Sequence, residues 1–232
     1  MNQIRKSANR GTGEHGWLHA KHTFSFAEYY DSHYMGFRKL RVMNEDKVEP
    51  SQGFPTHPHK NMEIVTYVIS GQLQHKDSLG NGSIIKPGEV QLMSAGIGIQ
   101  HSESNPLNSE ILHLLQIWIE PSVKDEKPTY QQKDFSISSE KMTLVVSQNG
   151  EKNSLQIKQD VNIYRGILNH NEIFDYKINK QRHYWIQIVH GNLKINETIF
   201  LEQGDGFACS KSEIILFSTK DFKCEFLVFD LP

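Results

Sequence analysis

Two short segments carry side chains that could hold a metal ion. In Gly53-Phe54-Pro55-Thr56-His57-Pro58-His59 one residue separates two imidazoles, and in Gly96-Ile97-Gly98-Ile99-Gln100-His101-Ser102-Glu103 one residue separates an imidazole from a carboxylate. Residues two apart on a strand share a face. Two such pairs on neighbouring strands can converge on one ion with three imidazoles (His57, His59, His101) and one carboxylate (Glu103). A lone histidine is more often a hydrogen-bonded core or surface residue. Two i, i+2 pairs, each preceded by glycines that allow close approach, reverse that weighting. The set contains no thiolate, which argues against a closed structural zinc site. One divalent ion is expected, Fe(II) first, with Zn, Mn, Co, Ni or Cu able to replace it. Four protein ligands on an octahedral ion would leave two positions for water, or for a chelating substrate and dioxygen.

Other residues weigh less. Pro58 lacks an N–H, so its strand end belongs at a sheet edge or a bulge. Glu63 shares a face with His57 and His59 by strand alternation and is a candidate fifth ligand, though a structural role is favoured. His22, Phe24 and Phe26 alternate as one packed strand face. His75 and His113 have no partner pattern and read as structural. Phe54, Met62 and Met93 are candidate walls for an apolar mouth, but the substrate-binding residues are unknown. There is no Ser-His-Asp order and no phosphate-binding glycine loop.

The elements that must position these residues are strands. Runs such as 63–69, 112–119, 184–189 and 225–229 are short and rich in β-branched and aromatic residues, and turn residues bound them. Val68-Ile69-Ser70-Gly71-Gln72-Leu73 is echoed by Ile188-Val189-His190-Gly191-Asn192-Leu193, and Lys86-Pro87-Gly88-Glu89 by Glu202-Gln203-Gly204-Asp205. The spacing predicts two copies of one all-β unit. The first spans residues 1–120, a polar linker 121–133, and the second 134–232. Aligned on the glycines, His57 and His59 fall opposite Lys177 and Asn179, and His101 and Glu103 fall near Ile215 to Phe217. The second copy therefore reads as a metal-free partner, extended by the chain's first strand.

Composition narrows the partners. Lys plus Arg (25) nearly balances Asp plus Glu (27), giving a net charge of -2 and no general attraction to nucleic acid or anionic membrane. The basic cluster Arg38, Lys39, Arg41 reads as solvated surface. No apolar run approaches the ~20 residues of a membrane span, and the N-terminus lacks the apolar core of a secretory signal. The expected location is the cytoplasm, with Cys209 and Cys224 as reduced core thiols. The sequons at Asn81 and Asn196 then read as turn chemistry.

The residues also carry a family resemblance. Gly-x-x-x-His-x-His at 53–59, Glu63, Gly71, Pro87 with Met93, and His101-x-Glu103 resemble the two cupin motifs in their pirin form. His15-Gly16-Trp17-Leu18, His22-Thr23-Phe24-Ser25-Phe26, Met93-Ser94-Ala95-Gly96 and His101-Ser102-Glu103 resemble bacterial pirin-like proteins with quercetin 2,3-dioxygenase activity. The likeness runs nearly end to end and closes in Phe229-Asp230-Leu231-Pro232. It implies a bicupin of two jelly-roll-like β-barrel domains, the C-terminal one degenerate, with a divalent metal on His57, His59, His101 and Glu103. It further implies a small flavonol-like aromatic substrate and O2. The central ring of quercetin would open to give carbon monoxide and a depside, with Glu103 as the base toward the 3-hydroxyl. Eukaryotic relatives are metal-dependent transcriptional co-regulators. The alternative is therefore a non-enzymatic metal-binding regulatory or interaction protein; an isomerase or hydrolase on the same site is a weaker third reading.

Overall fold

A computed structural model describes residues 2–210, 214–219 and 223–232 of the chain. Its described residues are almost entirely strand and turn, and they fall into two compact units. One unit comprises Gly11–Ile137 with Ile157–Gln159. The other comprises Met1–Arg10, Ser138–Gln156 and Asp160–Pro232.

Each unit has a seven-stranded and a four-stranded sheet. In the first unit the large sheet runs, edge to edge, Thr129–Asp134, Glu89–Ser94, Glu63–Ser70, Leu112–Ile119, Leu40–Val48, Leu18–His22, Gly11–Glu14. The small sheet runs Gly53–His59, Ile99–Ser104, Leu73–Asp77, Gly82–Ile85. The second unit repeats the plan with Gln3–Arg5, Gly206–Ser210, His183–His190, Cys224–Leu231, Asn162–Leu168, Met142–Ser147 and Leu155–Gln156. Its small sheet is Ile173–Lys177, Ile214–Ser218, Asn192–Ile195 and Ile199–Glu202. The hydrogen bonding does not close into one continuous barrel; each unit is a two-sheet jelly roll of the cupin kind.

The repeat landmarks sit at equivalent turns. Gly71 and Gly191 both have φ 78°, and Gly88 and Gly204 have φ 91° and 82°, a left-handed conformation that favours glycine. The central strands Glu63–Ser70 and Leu112–Ile119 are buried along most of their length, as their apolar composition requires.

Boundaries differ from the sequence reading at two edges. Residues 129–133, expected to be linker, form with Asp134 a strand paired with Glu89–Ser94. Gln3–Arg5 pairs with Gly206–Ser210 of the second unit's large sheet, the extension by the chain's first strand that the sequence predicts, although the expected bounds place residues 1–120 in the first unit. Each large sheet thus takes one edge strand from outside its own half of the sequence repeat. Polar composition suggested a linker at 121–133, but the Tyr130 hydroxyl lies against buried Gln91 and Gln132 donates to the half-buried Ile84 carbonyl, and only backbone pairing reveals that.

The second unit's interior is aromatic. Tyr176 and Phe217 stack with centroids 6.0 Å apart, and Phe217 lies 4.9 Å from Phe226. Both cysteines are buried and free. Lys39 pairs with Glu120 at 3.3 Å and Arg41 donates to the Ser25 carbonyl, so the basic cluster is partly engaged in local contacts.

Candidate metal centre

The four expected ligands lie on two paired strands. Gly53–His59 is the edge strand of the small sheet, which is where Pro55 and Pro58 can sit without breaking a ladder. His101 is the register partner of His57, whereas Glu103 partners Phe54, so the register slips by one residue between them. Such a bulge re-aims side chains. It brings Phe54 onto the same cavity as His57 and His59.

His57, His59 and His101 form one cluster whose ligand nitrogens lie within 4.8 Å of one another. Ring centroids are 4.8 Å apart for His57–His59, 4.4 Å for His57–His101 and 4.9 Å for His59–His101. Glu103 meets the same distance criterion with His101 and His75, a second group that shares His101 with the first. Nε2 of His101 and Oε1 of Glu103 are buried and, among the described residues, have no hydrogen-bond partner. Leaving such atoms unpaired is costly. A cation would satisfy both, so these residues fit a divalent metal.

The surroundings set the tautomers. Nδ1 of His57 lies 2.8 Å from the Pro55 carbonyl oxygen. A carbonyl only accepts, so that nitrogen carries the proton and Nε2 keeps its lone pair. Behind His101, Nδ1 is 3.5 Å from Nδ1 of His75, and Nε2 of His75 is 3.2 Å from Asp77 Oδ2. Burial works against the Asp77 charge, but hydrogen bonds from Asn81, His75 and Leu79 outweigh it and hold its carboxyl below the usual range. The carboxylate thus accepts from His75 Nε2, and His75 Nδ1 accepts from His101, which leaves His101 Nε2 unprotonated.

Electrostatics suit ligation. Burial and then the neighbouring His57 lower His59 to about 4, and the same causes in the same order lower His101 to about 3. Both are therefore neutral donors near pH 7. Burial pushes Glu103 up to about 7, opposed first by the hydrogen bond from Gln116. A bound cation would favour its ionised form.

The cluster opens on a cavity of about 310 Å³, at the small end of ligand sites. Phe26, Phe54 and Trp118 form its aromatic walls, and Asn44, Asp46 and Gln116 its polar side. Trp118 meets His59 edge-on, centroids 4.9 Å apart.

Several expectations need correction. Glu63 is not brought to either ligand group. It sits on the large sheet, where its carboxylate accepts from Ser94 at 2.7 Å and from the Lys158 N–H at 3.2 Å. The strand holding His22 ends there, so Phe24 and Phe26 do not continue its alternation, and Phe26 lines the cavity. Met93 lies in an apolar cluster with Ile64 and Ile99, with Met62 packed against it; only Phe54 of the three expected walls lines the cavity. His113 is structural, bonded to Glu45 at 2.9 Å, but His75 belongs to the site's surroundings. Sequence reasoning missed His75, Asp77, Asn44, Asp46 and Gln116. The patterns His75-x-Asp77 and Asn44-x-Asp46 were the available signal, the same i, i+2 spacing used for the ligands.

A two-unit cupin with a histidine cluster in one unit defines the class of protein. The family model Pirin matches residues 3–119, and the model Quercetinase C-terminal cupin domain matches residues 144–231. The chain belongs to the pirin family. A protein of Escherichia coli strain K12 named quercetin 2,3-dioxygenase is 46% identical over 232 residues, covering 100% of this chain and 99% of the relative. The crystal structure of YhhW from Escherichia coli superposes with a TM-score of 0.96 at 46% identity, covering 100% of this chain and 98% of that one. The bacterial pirin YhhW in complex with nickel(II) superposes with a TM-score of 0.95 at 45% identity, covering 100% and 99%.

Proposed function

We propose that this protein is a divalent-metal-dependent dioxygenase whose substrate is a small flavonol-like aromatic and whose co-substrate is O2. In this reading His57, His59, His101 and Glu103 are the ligands, Glu103 is also the catalytic base, and Fe(II) is the native ion. The observation that carries it is the pair of buried, unpartnered atoms, His101 Nε2 and Glu103 Oε1, beside two further imidazoles at an aromatic-walled cavity. The names of the relatives, quercetin 2,3-dioxygenase and a nickel(II)-bound pirin, support the same reading.

A bound divalent ion would supply Lewis acidity toward chelating oxygens. The chain's own residues supply the rest. Phe26, Phe54 and Trp118 suit the face of a flat ring system, and Asn44 and Asp46 suit its hydroxyls. Glu103 has Oε2 held by Gln116 at 2.7 Å, which leaves Oε1 for the ion, and its carboxylate is the base toward a substrate hydroxyl. Two free, buried cysteines accord with a reducing cytoplasm.

The test is anaerobic reconstitution with Fe(II), Mn, Co, Ni, Cu and Zn in turn, followed by oxygen uptake with quercetin. Uptake with at least one metal and none in the metal-free protein is expected. No uptake with quercetin or related flavonols under any metal would move the regulatory, non-enzymatic reading ahead.

A further inference from the structure

A row of polar residues crosses the otherwise apolar large sheet of the first unit. Gln132 is the register partner of Gln91, Gln91 of Thr66, Thr66 of Gln116, Gln116 of Asn44, and Asn44 of His22. Directly opposed residues share a face, so all six stand side by side. Thr66 and Gln91 are fully buried.

The middle of this row points at Glu103. The Tyr130 hydroxyl lies 2.9 Å from Gln132 Oε1 and 3.4 Å from Gln91 Oε1; from Gln91 onward, Nε2 donates to Thr66 Oγ1 at 3.2 Å, Thr66 Oγ1 to Gln116 Oε1 at 3.2 Å, and Gln116 Nε2 to Glu103 Oε2 at 2.7 Å. The direction is consistent throughout. A carboxylate only accepts, so Gln116 turns its NH2 toward Glu103 and its carbonyl toward Thr66. Gln91 already donates to the Thr66 hydroxyl, whose one proton therefore goes to that carbonyl. Without it the Gln116 amide is held at its NH2 end alone, and its carbonyl loses the donor that fixes the plane in which Nε2 meets Glu103.

We propose that Thr66 is a positioning residue for Glu103: its hydroxyl fixes the Gln116 amide, which holds Oε2 and leaves Oε1 as the single oxygen for the ion. The inference rests on reading Glu103 as a metal ligand. A packing role and an orienting role make opposite demands at position 66. Thr66→Val keeps the shape and loses the hydroxyl, whereas Thr66→Ser keeps the hydroxyl and loses a methyl.

The experiment measures Ni(II) dissociation constants by chelator competition for wild type, Thr66→Val, Thr66→Ser and Glu103→Gln. Loss of a group that orients a ligand typically weakens metal binding about 10–100-fold. Thr66→Val should weaken Ni(II) by that order, and Thr66→Ser should stay close to wild type. Tight binding by Thr66→Val, or equal weakening in both variants, overturns the inference. Should Thr66→Val fail to fold, Gln116→Met, of similar length but without the N–H donor, carries the same expectation. If Glu103→Gln binds Ni(II) like wild type, the ligand reading fails and the inference falls with it. If Glu103→Gln weakens binding and Thr66→Val does not, only the positioning role falls.

Discussion

His75 stands directly behind His101, their Nδ1 atoms 3.5 Å apart, with Asp77 on the far side of His75 at 3.2 Å. The arrangement orients a candidate metal ligand through a second imidazole and a carboxylate, all three on the small sheet. His75→Leu removes the acceptor for His101 and should weaken divalent-metal binding about 10–100-fold, while the stoichiometry stays at one ion per chain. Chelator competition and metal analysis check both. Unchanged affinity would show that the contact is packing alone. A fall from two ions to one would show that His75, His101 and Glu103 form a site of their own.

The pH dependence has a definite sign. In the metal-free protein burial raises Glu103 from 4.5 to about 7, so the folded state keeps a proton there that the unfolded chain releases. Its contribution to stability is full below about pH 4.5 and is lost as pH rises through 7. His59 and His101 act oppositely. Their folded values of about 4 and 3 lie below 6.5, so their contribution is full above that value and lost as pH falls toward 4 and 3. A cation takes the ionised carboxylate, so binding below pH 7 must displace the Glu103 proton. Between pH 7 and 5 wild-type metal affinity should fall more steeply than that of Glu103→Gln, by up to one proton. Isothermal titration across that range checks this, and parallel slopes would contradict it.

Gly53 shows how tightly the two ligand strands are joined. A Cβ at this position would lie 2.2 Å from the Glu103 carbonyl oxygen and 2.5 Å from the Ser104 Cα. Gly53→Ala should force the strands apart beside the bulge, costing about 1–3 kcal/mol as overpacking does, and should lower metal affinity as well. Gly82→Ala, where nothing lies within 4 Å, is the control. Denaturant unfolding of the two variants measures the difference, and equal midpoints would contradict it.

The second unit should contribute nothing to metal binding. In the sequence repeat its positions opposite the ligand pairs are Lys177, Asn179 and the stretch Ile215 to Phe217, and its interior holds packed aromatic rings. Alanine at His170, His183 or His190 should leave metal content unchanged. Loss of metal from any of these variants while it remains folded would mean that this half supplies a ligand.

The sequence made the ligand pairs legible because alternation on a strand is a strict geometric rule, and because Pro58 marked an edge that the structure has. The two-unit repeat was legible in its turn glycines, where φ near 80–90° admits few other residues. What supports the ligands was harder to read. Gln91, Thr66 and Gln116 each sit singly within apolar strands, and only the inter-strand register aligns them. Tyr130 stacks on His75 with centroids 4.7 Å apart, from a stretch whose composition suggested a linker. Phe26 reaches the cavity from a loop, where strand periodicity does not apply. Glu63 shows the limit of alternation: facing the right way on a strand does not place a residue in the right sheet.

The most direct test of a dioxygenase centred on Glu103 is oxygen consumption with quercetin by metal-loaded wild type and metal-loaded Glu103→Gln. The variant keeps the side-chain size and one oxygen donor but loses charge and basicity, so metal is supplied in excess to fill both proteins equally. Wild type should consume oxygen, and Glu103→Gln should be slower by about 10²–10⁴-fold, the range for a positioned acid–base group. Raising the pH should restore part of the loss, because a flavonol ionised in solution no longer needs the base. Equal rates in the two loaded proteins would contradict the role of Glu103, and no oxygen consumption by wild type would contradict the activity itself.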